Sequence, residues 1–256
     1  MIFYFSATGN CKYVASRIAE ATGEAIFSLG EAFKLKQFQI ALEENEILGF
    51  VIPTYFGVLP RIVSEFFDKV EIIAGNSNYI FLVDTYGFHY GNLSPELEKL
   101  LKKKIGRAQN ADYVIQMVDN WVPQFDLTDQ DYVKDAEEKA EKLIAPVVDK
   151  IAARTEVRVK GEWPAPMLMM MKAAYRSGSR TKNFSANDSC IGCGLCERQC
   201  PMEVIKLRDN RPGWEKDSCT VCLGCLHRCP VNAISYTKAT VGHGQYYNKK
   251  TDPDIK

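Results

Sequence analysis

Two runs of cysteines constrain this chain more than any other feature of its sequence. Eight of the nine cysteines lie between Cys190 and Cys229, and each run has the spacing C-x2-C-x2-C-x3-C-P. The run from Cys190 to Cys200 recurs as the run from Cys219 to Cys229, an offset of 29 residues (219 − 190). In each run, two residues separate each of the first three cysteines from its neighbour among them, and a tight loop brings their thiolates together. The chain therefore holds two copies of one small metal-binding unit.

Two other uses of clustered cysteines fit this pattern poorly. A zinc site needs four ligands, commonly two well-separated C-x2-C pairs, whereas these are two complete runs that each end in proline. Disulfides persist in oxidising compartments, and no export signal is predicted, since the apolar start Met1–Phe5 is short and lacks a basic segment. The spacing therefore favours iron–sulfur clusters, and we expect a cytoplasmic protein.

The segment Asn187–Tyr236 resembles the two-cluster bacterial ferredoxins, which have this cysteine spacing. The resemblance implies a small α+β domain with two 4Fe–4S clusters, in which the fourth cysteine of each run binds the other cluster. One cluster would then use Cys190, Cys193, Cys196 and Cys229, and the other Cys219, Cys222, Cys225 and Cys200. His227 lies inside the second run, and we interpret it as a surface filler rather than a proton-coupled modulator.

Residues 1–153 have the pattern of an α/β domain. Short apolar runs predict strands at Ile2–Phe5, Ala25–Leu29, Ile47–Ile52, Tyr79–Asp84 and Tyr113–Val118. Helical patterns at Lys12–Ala21, Pro60–Val70, Ser94–Ile105 and Asp131–Ala153 alternate with them. Because the strands are almost continuously apolar, they predict a doubly wound five-stranded parallel sheet covered by helices on both faces. Only a short helix and a loop are predicted for Gly30–Asn45.

Three polar or aromatic loops follow strands of this predicted sheet. The loop Phe5–Cys11 opens the first helix, where free N–H groups and the helix dipole favour a phosphate. Its sequence is neither a Walker loop nor a dinucleotide fingerprint, which leaves a single terminal monophosphate as the suitable ligand. The other two loops are Pro53–Gly57 and Thr85–Gly87, whose aromatic residues could sandwich a flat ring at the carboxyl edge of the sheet.

Together these loops resemble the flavodoxin family, which binds FMN non-covalently. The resemblance implies phosphate contacts from Ser6, Thr8, Gly9, Asn10 and Cys11, and ring contacts from Tyr55, Phe56 and Tyr86 beside a backbone group near Gly57. The neighbouring Pro53, Thr54, Thr85 and Gly87 complete the candidate loops, and Asn120 and Trp121 either cover the flavin or pack on the domain surface. The family usually has Thr or Ser at the position of Cys11, and we interpret this cysteine as a small buried residue rather than a nucleophile.

The domain boundaries follow from these assignments. We expect a flavodoxin-like domain at residues 1–153, a linker at 154–186, a ferredoxin domain at 187–236 and a tail at 237–256. The linker carries a methionine-rich run, interpreted as gap-filling, and the excess of seven basic over two acidic residues within 154–182. These basic residues either dock an acidic partner or pair within the chain, next to a domain with 15 basic and 22 acidic residues.

The predicted function is electron transfer between FMN, two 4Fe–4S clusters and a protein redox partner. The combination has a physical reason: FMN exchanges one or two electrons whereas each cluster exchanges one. One alternative is a flavin-dependent reductase of a quinone or nitroaromatic, and another is a ferredoxin-type carrier whose flavodoxin-like half lacks flavin. A net charge of zero gives no argument for a nucleic acid, and the apolar run Trp163–Met171 is too short to span a membrane.

Overall fold

A computed structural model describes residues 1–251 of the chain. Its first part alternates strands and helices as the sequence predicts. The elements are β1 Ile2–Tyr4, α1 Asn10–Thr22, β2 Ile26–Ser28, α2 Leu29–Leu35, β3 Gln39–Ala41, β4 Ile47–Pro53, α3 Arg61–Lys69, β5 Glu71–Ile73, β6 Tyr79–Tyr86, α4 Leu93–Ile105, β7 Ala111–Gln116 and α5 Gln130–Ala152.

Five of these strands form one parallel sheet in the order β2-β1-β4-β6-β7. The two central strands are the longest, and β4 pairs with β6 from Ile47↔Tyr79 to Pro53↔Thr85. Because β1 lies between β2 and β4, the chain winds outward in both directions from the centre of the sheet. The doubly wound five-stranded α/β fold is thereby confirmed.

Alternate residues of the strands supply two separate cores, one on each face of the sheet. On one face, Ile80 and Leu82 of β6 pack with the apolar sides of α3 and α4. On the other face, Phe81 and Val83 pack with α1 and α5. Both sets are fully buried, which explains why these strands read as continuous apolar runs rather than as an alternating pattern.

The second part of the chain is small and is built from short paired elements. They are α6 Ala165–Gly178, β8 Phe184–Ala186, α7 Leu195–Gln199, β9 Ile205–Arg208, β10 Arg211–Trp214, α8 Gly224–His227 and β11 Ile234–Tyr236. Strands β9 and β10 form one antiparallel pair, and β8 and β11 form another. Helices α7 and α8 begin at equivalent positions of the sequence repeat, Leu195 and Gly224, and contact each other.

The structure departs from the sequence prediction in two places within the expected loop and linker. The segment expected to be a helix and a loop contains β3, which pairs with β5. The linker contains the helix α6, and the strand β8 pairs with β11 of the ferredoxin unit before residue 187 is reached. These pairings join segments distant in sequence, so local periodicity gave no signal for them.

Two residue-level interpretations are wrong. Gap-filling does not describe most of the methionine run, because Met167, Met169 and Met170 are exposed on α6 and only Met171 is half-buried. His227 is not a surface filler, because only 4% of it is exposed. Within residues 1–251, no helix is both long and apolar enough to cross a membrane.

Candidate functional site

A cavity of about 330 Å³ opens at the carboxyl edge of the sheet. The ends of β1, β4, β6 and β7 surround it, which is where open α/β sheets bind their ligands. The loops after all four strands contribute to its wall, including every residue predicted to bind flavin except Gly9. Its volume lies within the range of roughly 300–1,000 Å³ that is typical of small-molecule pockets.

Residues 6–11, here called the phosphate loop, form one end of this cavity. Gly9 caps α1 with a φ of +93°, a conformation that favours glycine. The first N–H groups of α1 lack acceptors within the helix and are available to an anion. The Ser6 hydroxyl is buried and has no hydrogen-bond partner among the described residues. An unpartnered buried hydroxyl beside a helix N-terminus fits a phosphate oxygen well.

Cys11 sits at the same end but does not replace the hydroxyl of Thr or Ser as a donor to the cavity. Its Sγ lies 3.0 Å from Oγ1 of Thr85, in a hydrogen bond between α1 and β6. Burial raises the pKa of the Cys11 thiol to about 12, so it stays protonated at neutral pH. The residue is 2% exposed, which agrees with a small buried residue rather than a nucleophile.

Aromatic side chains line the other end of the cavity. Tyr55 and Val58 exchange two backbone hydrogen bonds of 3.1 Å around a tight turn. The turn's central residues, Phe56 and Gly57, both have positive φ, of +54° and +68°. The turn holds the Phe56 ring edge-on to Trp121, with their centroids 5.0 Å apart. Tyr86 also lines the cavity, so a flat ring would meet aromatic surface on more than one side.

The linker contributes a wall that the sequence analysis missed. Trp163 lies so close to Gly57 that a Cβ at residue 57 would stand 1.8 Å from the indole ring. The backbone of Trp163 exchanges two hydrogen bonds with the Asn92 side chain, at 3.0 and 3.1 Å. Glu162 accepts a hydrogen bond of 2.9 Å from the Gly91 N–H. Trp163 also lines the cavity, so its indole is fixed at the cavity wall, where we interpret it as a lid.

The cysteines fall into two groups around two further cavities. Cys200, Cys219, Cys222 and Cys225, here called the proximal group, line a cavity of about 410 Å³. Cys190, Cys193, Cys196 and Cys229, here called the distal group, surround one of about 20 Å³. Each group combines three cysteines of one run with the fourth cysteine of the other.

The surroundings of the thiols agree with this grouping. Burial, with the neighbouring Cys219 and Cys200 as further causes, raises the pKa of Cys222 to about 12. Burial, with the neighbouring Cys193 and Cys229 as further causes, raises the pKa of Cys196 to about 11. A bound cluster needs thiolates, so its assembly releases these protons.

Backbone amides point at cluster-facing sulfurs in both copies of the repeat. The N–H of Val204 donates to Sγ of Cys200 at 3.5 Å, and the N–H of Ala233 donates to Sγ of Cys229 at 3.2 Å. Such hydrogen bonds stabilise thiolates and help to set a cluster's reduction potential. Within residues 1–251, no three His, Cys, Asp or Glu side chains are close enough to share one metal ion. A 4Fe–4S cluster needs its four cysteines farther apart than the ligands of one metal ion, because each cysteine binds a separate iron at a corner of the cube.

The proximal group shares a wall with the sheet-edge cavity. Cys222 and Leu223 line both cavities, as do Ser6 and Ala7 of the phosphate loop. A Cβ added to Gly224 would lie 3.6 Å from Cβ of Ala7, which is ordinary contact. The distal group lies farther out, and Cys193 is exposed. The cavity of the distal group shares no lining residue with the sheet-edge cavity.

Several basic linker residues pair within the chain. Arg158 reaches the buried carboxylate of Asp112 at 3.0 Å and also pairs with Glu98, whereas Lys172 pairs with Glu96. Arg176, Arg180 and Lys182 lie on the exposed surface. Two of the seven basic residues, Arg158 and Lys172, thus form ion pairs within the described part of the chain.

Comparison with known proteins agrees with these two parts. Residues 1–134 match the family model described as a flavodoxin domain. Residues 189–234 match a 4Fe-4S dicluster domain, and a second dicluster model matches residues 155–205, overlapping the first over 189–205. No curated protein matches the chain.

Solved structures similar to the chain include the following three proteins. A flavodoxin of Streptococcus pneumonia TIGR4 is 16% identical, over 57% of this chain and 97% of its own, with a TM-score of 0.33. A putative flavoprotein from Bacteroides uniformis ATCC 8492 is 17% identical, over 46% and 90%, with a TM-score of 0.32. The rubredoxin oxygen:oxidoreductase of Desulfovibrio gigas is 17% identical, over 59% and 36%, with a TM-score of 0.33.

Proposed function

The chain belongs to the flavodoxin domain family and continues into 4Fe-4S dicluster domains, and on this premise we propose that it relays electrons between FMN, two 4Fe–4S clusters and a redox partner. Its cofactors are FMN and 4Fe–4S clusters, and it is an iron–sulfur flavoprotein of electron transfer. When bound, FMN exchanges one or two electrons and each cluster one. The observation that carries the relay is the wall that the proximal group shares with the sheet-edge cavity.

We assign FMN to the sheet-edge cavity. The phosphate loop would hold the phosphate through its N–H groups and the unpartnered Ser6 hydroxyl. The flavin ring would lie among the aromatic residues of the loops after β4, β6 and β7. The residues of this assignment are Ser6, Thr8, Gly9, Asn10, Cys11, Pro53, Thr54, Tyr55, Phe56, Gly57, Thr85, Tyr86, Gly87, Asn120 and Trp121.

We assign one 4Fe–4S cluster to the proximal group and one to the distal group. The exposed Cys193 makes the distal group the entry point for electrons from a partner. Cys222 and Leu223 lie between the sheet-edge cavity and the cavity of the proximal group, because they line both. The domains that follow from these assignments are residues 1–153 and 187–236, with β8 of the linker adding a strand to the second.

Cofactor analysis of the anaerobically purified protein tests this assignment. We expect about eight irons and one FMN per chain, because there are two complete cysteine groups and one flavin cavity. Four or fewer irons after full reconstitution would overturn the two-cluster assignment, and an absent flavin band would overturn the FMN site.

Turnover distinguishes a carrier from a reductase. Because Trp163 covers the cavity, small acceptors such as quinones or nitroaromatics should reoxidise the reduced flavin slowly. Rapid steady-state turnover with such an acceptor, without any redox protein, would favour the reductase instead. Trp163→Ala is the matched variant, since it removes the lid and should speed this reoxidation.

We further propose an acidic partner protein in a reducing compartment such as the cytoplasm, where the free cysteines can hold clusters. The exposed Arg176, Arg180 and Lys182 suit such a partner. Docking there predicts an electron-transfer rate that falls as salt increases beyond about 0.1 M, where the Debye length is ~10 Å. The variant Arg176→Glu/Arg180→Glu should lose this salt dependence, and an unchanged slope would place the docking surface elsewhere.

A further inference from the structure

The end of the chain folds back between the two cofactor regions. Residues 245–248, here called the C-terminal strap, run from helix α8, which carries Cys225 of the proximal group, to the phosphate loop. Tyr246 and Asn248 are buried, at 5% and 3% exposure, although the sequence analysis treated this part of the chain as a tail. Buried polar residues at the end of a chain indicate a specific docked position.

One end of the strap is hydrogen-bonded to helix α8 and to Cys229. The side-chain amide of Gln245 donates to the carbonyl oxygens of Leu226 and Cys229, at 2.6 and 2.8 Å. The backbone N–H of Tyr246 donates to Nδ1 of His227 at 3.2 Å. Helix α8 has only four residues, so these bonds and the cysteines around it carry much of its order.

The other end of the strap is bonded to the phosphate loop. The N–H of Asn248 donates to the carbonyl oxygen of Thr8 at 2.8 Å. The peptide bond between Thr8 and Gly9 is trans, so its C=O and N–H point in opposite directions. Fixing the Thr8 carbonyl on the strap therefore turns the Gly9 N–H to the side of the loop that faces away from the strap.

The strap also fixes the side chain of Asn10. Its Oδ1 accepts hydrogen bonds from the Tyr246 hydroxyl at 2.8 Å and from Nδ2 of Asn248 at 3.2 Å. Its Nδ2 then faces the Val118 carbonyl, 3.5 Å away, a long hydrogen bond. Asn10 lines the sheet-edge cavity, and its acceptor oxygen is thus held by the strap.

A second connection joins the same two regions. Nε2 of His227 donates to the carbonyl oxygen of Asn120 at 3.0 Å, with Nδ1 left to accept from Tyr246. The side-chain amide of Asn120 donates to Oγ1 of Thr8 at 2.7 Å. Both connections end on the phosphate loop, and the second passes through Asn120, which lines the sheet-edge cavity.

We propose that the C-terminal strap consists of positioning residues that couple the proximal cysteine group to the phosphate loop, so that a filled proximal group raises the affinity for FMN. This inference rests on the proposed function. When the group is empty, helix α8 loses its anchor, the strap is released, and the N–H donors of the loop lose their orientation. By linkage, FMN binding stabilises the filled proximal group to the same extent.

The first test is an anaerobic titration of flavin-depleted protein with FMN, in which binding is measured from the quenching of flavin fluorescence. Cys225→Ala empties the proximal group and should raise the Kd for FMN about tenfold, within the usual range of coupling between sites. Cys193→Ala, in the exposed distal group, is the matched control and should leave the Kd unchanged. Iron analysis confirms which group is lost in each variant.

The second test cuts the strap itself. Gln245→Leu should raise the Kd for FMN while the iron content stays that of the wild type, and adding Cys225→Ala should then change the Kd little further. Tyr246→Phe keeps the ring and deletes the hydroxyl that contacts Asn10 and Glu137, so it should also raise the Kd, with only the small loss of Tm expected for one buried hydrogen bond. Lys249→Ala, at an exposed neighbouring position, is the control.

The outcomes separate the two hypotheses. If the wild type binds no FMN, the proposed function fails and the coupling fails with it. If it binds FMN but Cys225→Ala leaves the Kd unchanged, or if the Gln245→Leu and Cys225→Ala effects add fully, only the coupling is overturned. If Gln245→Leu also loses iron, Tyr246→Phe decides, and an unchanged Kd in that variant overturns the role of the strap.

Discussion

The contact between Gly57 and Trp163 predicts a large effect of adding one methyl group. In Gly57→Ala the new Cβ would stand 1.8 Å from the indole ring, so the lid must move. The residue also has a φ of +68°, which costs an alanine about 1–2 kcal/mol. The backbone cost alone should lower the Tm by roughly 2–8 °C in a chain of this size.

A matched variant separates the two causes. Gly106 has a φ of +75°, but nothing lies within 4 Å of a Cβ added there. Gly106→Ala therefore pays the backbone cost without touching the lid. Both variants should show similar thermal destabilisation from the backbone, whereas only Gly57→Ala should displace Trp163 and weaken flavin retention.

The assay combines thermal unfolding with iodide quenching of the bound flavin. Gly57→Ala should raise both the quenching constant and the FMN dissociation rate, and Gly106→Ala should change neither. In a Trp163→Ala background, Gly57→Ala should cost no more than Gly106→Ala, because the two residues of the contact are not independent. If Gly57→Ala left flavin accessibility at the wild-type value, the assignment of Trp163 as a lid would be refuted.

Three further predictions follow from individual side chains. Cys200→Ala should remove the cluster of Cys219, Cys222 and Cys225 and spare the cluster of the distal group. The double variant Cys200→Ala/Cys219→Ala should therefore lose no more EPR signal than Cys200→Ala alone. Loss of both clusters in the double variant would refute the crossed grouping. Burial raises the pKa of Asp84 well above its ordinary value of 3.8, with Glu162 and Asp112 as further causes, so the folded state holds this proton more tightly than the unfolded chain. Stability should accordingly fall as pH rises from about 4 through the raised pKa, and Asp84→Asn should flatten this part of a Tm–pH profile; an unchanged profile would contradict it. Arg158→Met leaves the buried carboxylate of Asp112 without its cation and should cost roughly 1–3 kcal/mol in thermal unfolding, whereas Arg176→Met, at an exposed position, should cost little; equal effects would refute the role of the ion pair.

The sequence predicted the parts of the site that depend on local chemistry. The cysteine spacing indicated two cluster-binding units, because three ligands of each unit lie within one tight loop. The loops after the first, third and fourth strands were predicted as flavin contacts, because parallel strands bring their carboxyl ends to one edge of the sheet. The sheet itself was predicted from short, continuous apolar runs such as Tyr79–Asp84, because a strand buried on both faces has no polar face to alternate with.

The remaining features depend on contacts between segments far apart in the chain. Trp163 covers Gly57 across 106 residues (163 − 57), and Asn248 bonds to Thr8 across 240 (248 − 8). No periodicity, residue spacing or motif in the sequence indicates either contact. The burial of His227 likewise depends on distant residues, Asn120 and Tyr246. Hydrogen bonding and steric fit act over a few ångströms in space, whichever residues the fold brings together. Only the tertiary structure could therefore decide that a linker residue covers the cavity and that the tail joins the cysteine loop to the phosphate loop.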